Sequence, residues 1–194
     1  ELKELCYQYR YDNRNRLVEK QLPGKGKEYI VYNKLDQPIL TQDANQEAKK
    51  EWLFTKYDAF GRVVYTGKDL NNTSKREALQ GAANSTAKQF ERKTSSATSY
   101  VGTPVYYSKE AYPLSFDQVL TVNYYDNYIF DTDGLSVPTS VLGQAVDTRT
   151  QSLATGSKVR VLDTNHWITT IFGYDKKGRV IYTASKNSYL STTT

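Results

Sequence analysis

Methionine is absent from the 194 residues, and cysteine and histidine occur once each, as Cys6 and His166. A single cysteine cannot close an internal disulfide, and Cys6 reads as a small buried apolar side chain. One histidine and one cysteine also fall short of the three or four nitrogen or sulfur ligands that zinc requires. No glycine-rich phosphate loop occurs. No run approaches the ~20 apolar residues of a membrane-spanning helix. Lys and Arg outnumber Asp and Glu by 26 to 21. They are spread along the chain, however, and do not form the clustered patch that a nucleic-acid backbone needs, so no nucleic-acid partner is predicted. The chain opens without an initiator methionine or a signal peptide, in "ELKELCYQYRYD", which reads as a strand. The expectation is a segment of a longer protein whose targeting signals lie elsewhere.

What the chain does have is tyrosine: 17 Tyr against 6 Phe and 2 Trp, with abundant Thr and Val. Such residues suit pleated surfaces on which one end of a side chain is apolar and the other is wet, so the composition predicts a mainly β fold. The length suffices for one domain with a sizeable core, or for part of a repetitive assembly.

One motif recurs. It reads "YDNRNRLV" at 11–18, "YNKLDQPI" at 32–39, "YDAFGRVV" at 57–64 and "YDKKGRVI" at 174–181. Tyr comes first, then Asp12, Asn33, Asp58 or Asp175. After two variable residues come Asn15, Asp36, Gly61 or Gly178, the residue types that tolerate a left-handed backbone. This is the chemistry of a type I turn whose first residue accepts local hydrogen bonds and whose last adopts positive φ, so each motif predicts a β-hairpin tip. The flanks alternate with period two. Tyr7, Tyr9 and Tyr11 share a face, as do Ile168, Phe172 and Tyr174, while Trp52 with Phe54 and Trp167 with Ile171 occupy the opposite ones. Pro38 follows a tip and predicts an edge or a bulge. Spacings of 21 and 25 residues between the first three tips suit a unit that stacks on its neighbours.

Tyr-Asp, two variable residues, Gly-Arg and two aliphatics resembles the YD repeats of bacterial Rhs proteins, insecticidal toxin complexes and teneurins. The resemblance covers about 1–70 and 118–185. "NYYD", "WITTIFGYDKKGRVIYTASKN" and the "YDNRNRLVEKQLPG" opening are similar to the Rhs-type proteins of Bacteroidota. It implies hairpins forming part of a spiralling antiparallel sheet or hollow shell, and a scaffold rather than a reaction.

Between the repeats the pattern breaks. "TSKREALQGAANSTAKQFERK" predicts one helix over about 74–92. Ser74 and Glu77 would form a capping box, and Leu79, Ala83, Ala87 and Phe90 one stripe laid on the sheet. "TSSATSYVGTPVYYSKEAYPLS" predicts a loop with one short strand at most. Tyr100, Tyr106, Tyr107 and Tyr112 are its candidate binding residues, suited to stacking on a glycan or an aromatic partner. A degenerate repeat starts at "TVNYYDNYIFD", with Ile129 where φ must be positive, which predicts a longer excursion in place of a tight tip. In "DTDGL", Asp131, Asp133 and Gly134 match the opening of a calcium loop, but its third acid and distal Glu are missing. The proline-bearing self-cleavage site of Rhs shells is not matched there either. Asp163 and His166 in "VLDTNHW" would be the minimum for histidine catalysis, yet the stretch reads as a turn between two strands.

The expected organisation is therefore YD-repeat hairpins at 1–70, a helix and loop insertion at 71–117, and YD-repeat hairpins at 118–194. The expected function is a structural segment of a large secreted or cell-surface bacterial protein, enclosing or displaying a cargo or effector, with no enzymatic role, cofactor or metal. Its partners would be flanking repeats or a neighbouring secretion or surface protein. The alternative is a surface module that binds a glycan or a protein.

Overall fold

The computed structural model describes residues 5–194. Strands take 49% of the chain and helices 9%, so the fold is mainly β, and its named strand pairings are antiparallel. The chain divides into two compact units, one running to Arg92 and taking in Ser108–Gln118, the other comprising Lys93–Tyr107 and Val119–Thr194. Of the stretch 71–117, residues 71–92 and 108–117 lie in the first unit and 93–107 in the second.

In the first unit, β1 (Gln8–Tyr11), β2 (Leu17–Gln21), β3 (Lys27–Tyr32), β4 (Pro38–Gln42), β5 (Trp52–Tyr57) and β6 (Val63–Asp69) pair in chain order as a meander. Val18, Val31, Leu40, Trp52, Phe54 and Val64 are buried. The ring of Phe54 packs 4.5 Å from that of Phe116. Gly67 lies in β6 because a Cβ there would stand 1.9 Å from the Gln118 carbonyl and 2.5 Å from the Phe54 ring. By contrast Tyr7, Tyr9 and Tyr11 are exposed. Cys6 is exposed too, against the expectation that it is buried.

Two helices interrupt the strands where one was expected. α1 (Ala44–Lys49) is closed by a capping box: Asp43 accepts from the Gln46 amide, and the Gln46 side chain accepts from the Asp43 amide. α2 spans only Arg76–Ser85, and its N-cap is Lys75, which makes no side-chain cap. The anticipated Ser74–Glu77 box does not form. Leu79 and Ala83 are buried as predicted, but Thr86 turns extended, so Ala87 and Phe90 fall outside the helix. Gln80 fastens α2 to β3, accepting from the Tyr32 amide at 3.0 Å and donating to the Tyr32 carbonyl at 2.7 Å.

In the second unit β9 (Gln118–Asp126) pairs with β12 (Thr150–Arg160), β12 with β13 (Trp167–Tyr174), β13 with β14 (Val180–Asn187), and β14 with β15 (Thr192–Thr193). The supposed loop after residue 92 is a hairpin, β7 (Lys93–Tyr100) and β8 (Thr103–Tyr107), turned by Val101 and Gly102 at φ of 50° and 76°. Valine is a poor residue for positive φ, and so the turn escaped the sequence reading. After β9 the chain makes the expected excursion, which contains the short pair β10 (Ser140–Val141) and β11 (Gln144–Ala145). Asp126, at φ of 71°, takes the left-handed conformation in place of Ile129.

Candidate functional site

The four motifs fold into one repeated device. Asp12, Asn33, Asp58 and Asp175 each accept two backbone N–H bonds through Oδ1, from the residues two and four positions on, at 2.9–3.0 Å. In three tips Oδ2 also accepts from an arginine Nε at 2.7 Å: Arg16, Arg62 and Arg179. In the second tip, Asn33 Nδ2 instead donates to Gln37 Oε1. Asn15, Asp36, Gly61 and Gly178 adopt φ of 58°, 61°, 78° and 73°. Each donates its amide to the carbonyl of the motif's acid or asparagine.

The carboxylate thus closes the turn over the arginine four residues on. Burial pushes the Asp12 carboxyl up, but the Arg16 side chain and amide outweigh it and leave it below its ordinary value. For Asp175 the Arg179 amide is the main cause of the same depression.

The last two motif positions have a separate reason. Tyr11, Tyr32, Tyr57 and Tyr174 pair with Leu17, Pro38, Val63 and Val180, and one pair further on the register slips by a residue. The residue left out of register is Val18, Ile39, Val64 or Ile181, and the first three are buried. The bulge turns that aliphatic side chain into the core. Pro38 sits beside one such bulge in a strand paired on both sides, so of its two predicted settings the bulge is the one observed.

The leading tyrosine joins one repeat to the one before. Tyr32 donates its phenol to the Leu17 carbonyl, and Tyr57 to the Pro38 carbonyl, each at 2.8 Å. Both acceptors hold the seventh position of the preceding motif. Arg16 adds a second link, to Asp36 at 2.9 Å and the Asn33 carbonyl at 3.2 Å. Tyr174, which has no tip directly before it, donates to Ala154 instead.

The tyrosines proposed as a binding surface are placed differently. Tyr100 and Tyr107 are buried; Tyr100 donates to the Tyr107 carbonyl, and Tyr107 to the Asn123 carbonyl. Tyr107 stacks on Tyr124, which stacks on Phe130, with centroids 5.7 and 4.1 Å apart. Tyr106 meets Tyr124 edge-on and is half-buried. Tyr112 is half-buried and belongs to the other unit. The four therefore share no common surface within one unit.

In the "DTDGL" loop, Lys158 lies 2.7 Å from Asp131 and 3.1 Å from Asp133, and Lys186 donates to the Asp133 carbonyl. An ammonium thus fills the position that a cation would need. Among the described residues no group of three or more His, Cys, Asp or Glu could hold a metal ion. Asp163, at φ of 60°, belongs to the turn from β12 to β13. His166 is exposed and packs on Tyr189. Its neighbour Ser188 is taken up by both the amide and the carbonyl of Trp167.

Sequence reasoning missed one polar centre. Lys56 and Glu91, both fully buried, form an ion pair of 2.9 Å. Glu91 also accepts from Ser108 Oγ, the Glu110 and Ala111 amides and Tyr65. Lys56 donates in addition to the Ala111 carbonyl. Desolvation lowers the Lys56 pKa, against the pull of Glu91. The signal was a lysine in period with Trp52 and Phe54 on an apolar face.

Against the known protein families and the curated proteins, the sequence finds no match.

Proposed function

We propose that the chain is a structural segment of a large secreted or cell-surface protein of the Rhs type, whose YD hairpins are part of a spiralling sheet or shell that encloses or displays a cargo or effector. One observation carries the reading. The polar atoms of the repeated motif are spent on closing each hairpin and, in the second and third motifs, on joining it to the hairpin before, Tyr32 to Leu17 and Tyr57 to Pro38. A device used up in its own architecture supports a building unit, because a binding or catalytic site keeps polar groups free for a ligand. On this reading the partners are flanking repeats or a neighbouring surface protein, and export depends on signals outside the segment. Among the described residues no helix is long and apolar enough to cross a membrane.

Native limited proteolysis of the full-length protein, read by mass spectrometry, tests this. A scaffold segment stays within a protected fragment much larger than its own 22.1 kDa and cross-links to neighbouring repeats. Release as an independent monomer with no cross-links would overturn the reading.

A further inference from the structure

A cleft of about 390 Å³ opens in the first unit between the start of β5 and the segment leading into α2. Its walls include Trp52, Arg76, Tyr29, Glu19, Glu47 and Lys75. Two of these residues carry donors that the fold leaves unused: the Trp52 indole Nε1–H and Arg76 Nη1 are buried without a hydrogen-bond partner. Trp52 is only 1% exposed. A sealed donor without an acceptor is costly and calls for an explanation.

The N-terminus of α2, a ten-residue helix, lies at the same place, and Lys75 provides no side-chain cap. Its positive end adds to the donors. Glu77 partly occupies this end, lying 3.4 Å from Arg76 and hydrogen-bonded to its own amide. A ligand would displace that exposed side chain.

We propose that this cleft binds an acidic monosaccharide, a hexuronate whose carboxylate meets Arg76, Trp52 and the α2 N-terminus while its hydroxyls face Glu47 and Tyr29, Glu19 being held by Lys27 and Arg10. Arginine and an indole N–H suit a planar carboxylate. The glutamates disfavour a phosphate dianion, yet carboxylates are good acceptors for sugar hydroxyls. The volume, near the small end of ligand pockets, fits one sugar unit. The site is separate from the tyrosines of the 94–115 stretch and does not depend on the scaffold reading.

The test is an NMR titration of the 194-residue chain that follows the two tryptophan indole resonances. D-glucuronate should shift Trp52 and leave Trp167 in place. It should bind about tenfold or more tighter than D-glucose, acetate, glycine or inorganic phosphate. By calorimetry, Arg76→Gln should weaken glucuronate about ten- to a hundredfold, and Trp52→Phe about tenfold. Glu47→Gln, on exposed α1, should weaken it severalfold without touching the core. No shift at Trp52, as when a buried water alone satisfies the donors, would overturn the proposal. So would equal or tighter binding of any control, or unchanged affinity in Arg76→Gln and Glu47→Gln.

Discussion

Replacing Glu91 with glutamine puts an amide NH2 among groups that all donate. Glu91 receives Lys56, Ser108, Tyr65 and two backbone amides, so one of them must face another donor after the change. Breaking a buried ion pair by removing one partner costs about 3–5 kcal/mol. For a chain of this size that corresponds to a fall in melting temperature of about 6–20 °C. Lys56→Met removes the other partner and should cost a similar ~3–5 kcal/mol, because it leaves the fully buried Glu91 carboxylate without its counter-charge. Each unit holds one tryptophan, Trp52 and Trp167. Urea unfolding in a Trp167→Phe background, followed by fluorescence, therefore reports on the unit that contains the pair. If either variant unfolds within about 1 kcal/mol of the parent, the buried ion pair does not stabilise the first unit as argued.

Gly61→Val and Gly178→Val should each cost about 1–3 kcal/mol in thermal melts, because a β-branched residue is forced to positive φ. Gly61 should be the worse, since its added Cβ also meets Gln37 at 3.2 Å. Gly81→Ala, at an open helical position, should gain up to about 1 kcal/mol; equal losses at all three sites would refute the tip assignment. Tyr32→Phe and Tyr57→Phe should each lose about 0.5–1.5 kcal/mol in the same melts, the net worth of one phenol hydrogen bond, whereas Tyr11→Phe should lose almost nothing. Asp12 and Asp175 have depressed folded pKa values, so their stabilisation is complete above the unfolded value of about 3.9 and disappears as pH falls through the folded values. Melts from pH 5 to 2 should show this loss, and an Asp12→Asn, Asp175→Asn double variant should flatten the slope.

The tips were legible because their chemistry is local: one Asp or Asn side chain, two backbone amides and an Arg or Gln side chain within five residues. The α1 capping box was equally local, in Asp43 and Gln46, but a short helix between two strands gave no period to count. The bulge at Val18 and Val64 was hidden because an aliphatic residue after a turn is simply what a strand would show, whereas at Ile39 the neighbouring Pro38 pointed to it. The end of α2 depended on Thr86 turning extended, against a stripe that continued through Ala87 and Phe90. Burial of Tyr100 and Tyr107 came from strand pairing and ring stacking across the second unit, which residue type alone does not announce. Lys56 and Glu91 are 35 residues apart, and only the lysine's place on an apolar face hinted at a buried partner.

Hydrogen exchange at the tip amides tests most directly whether the repeated motif is an architectural clamp. The Arg16, Gln37, Arg62 and Arg179 N–H groups donate to the motif's Asp or Asn side chain. They should exchange as slowly as neighbouring strand amides, and Asp58→Ala should release the Arg62 amide while leaving the Arg179 amide protected. Exchange of all four at the rate of open turns in the unmodified protein would contradict the account.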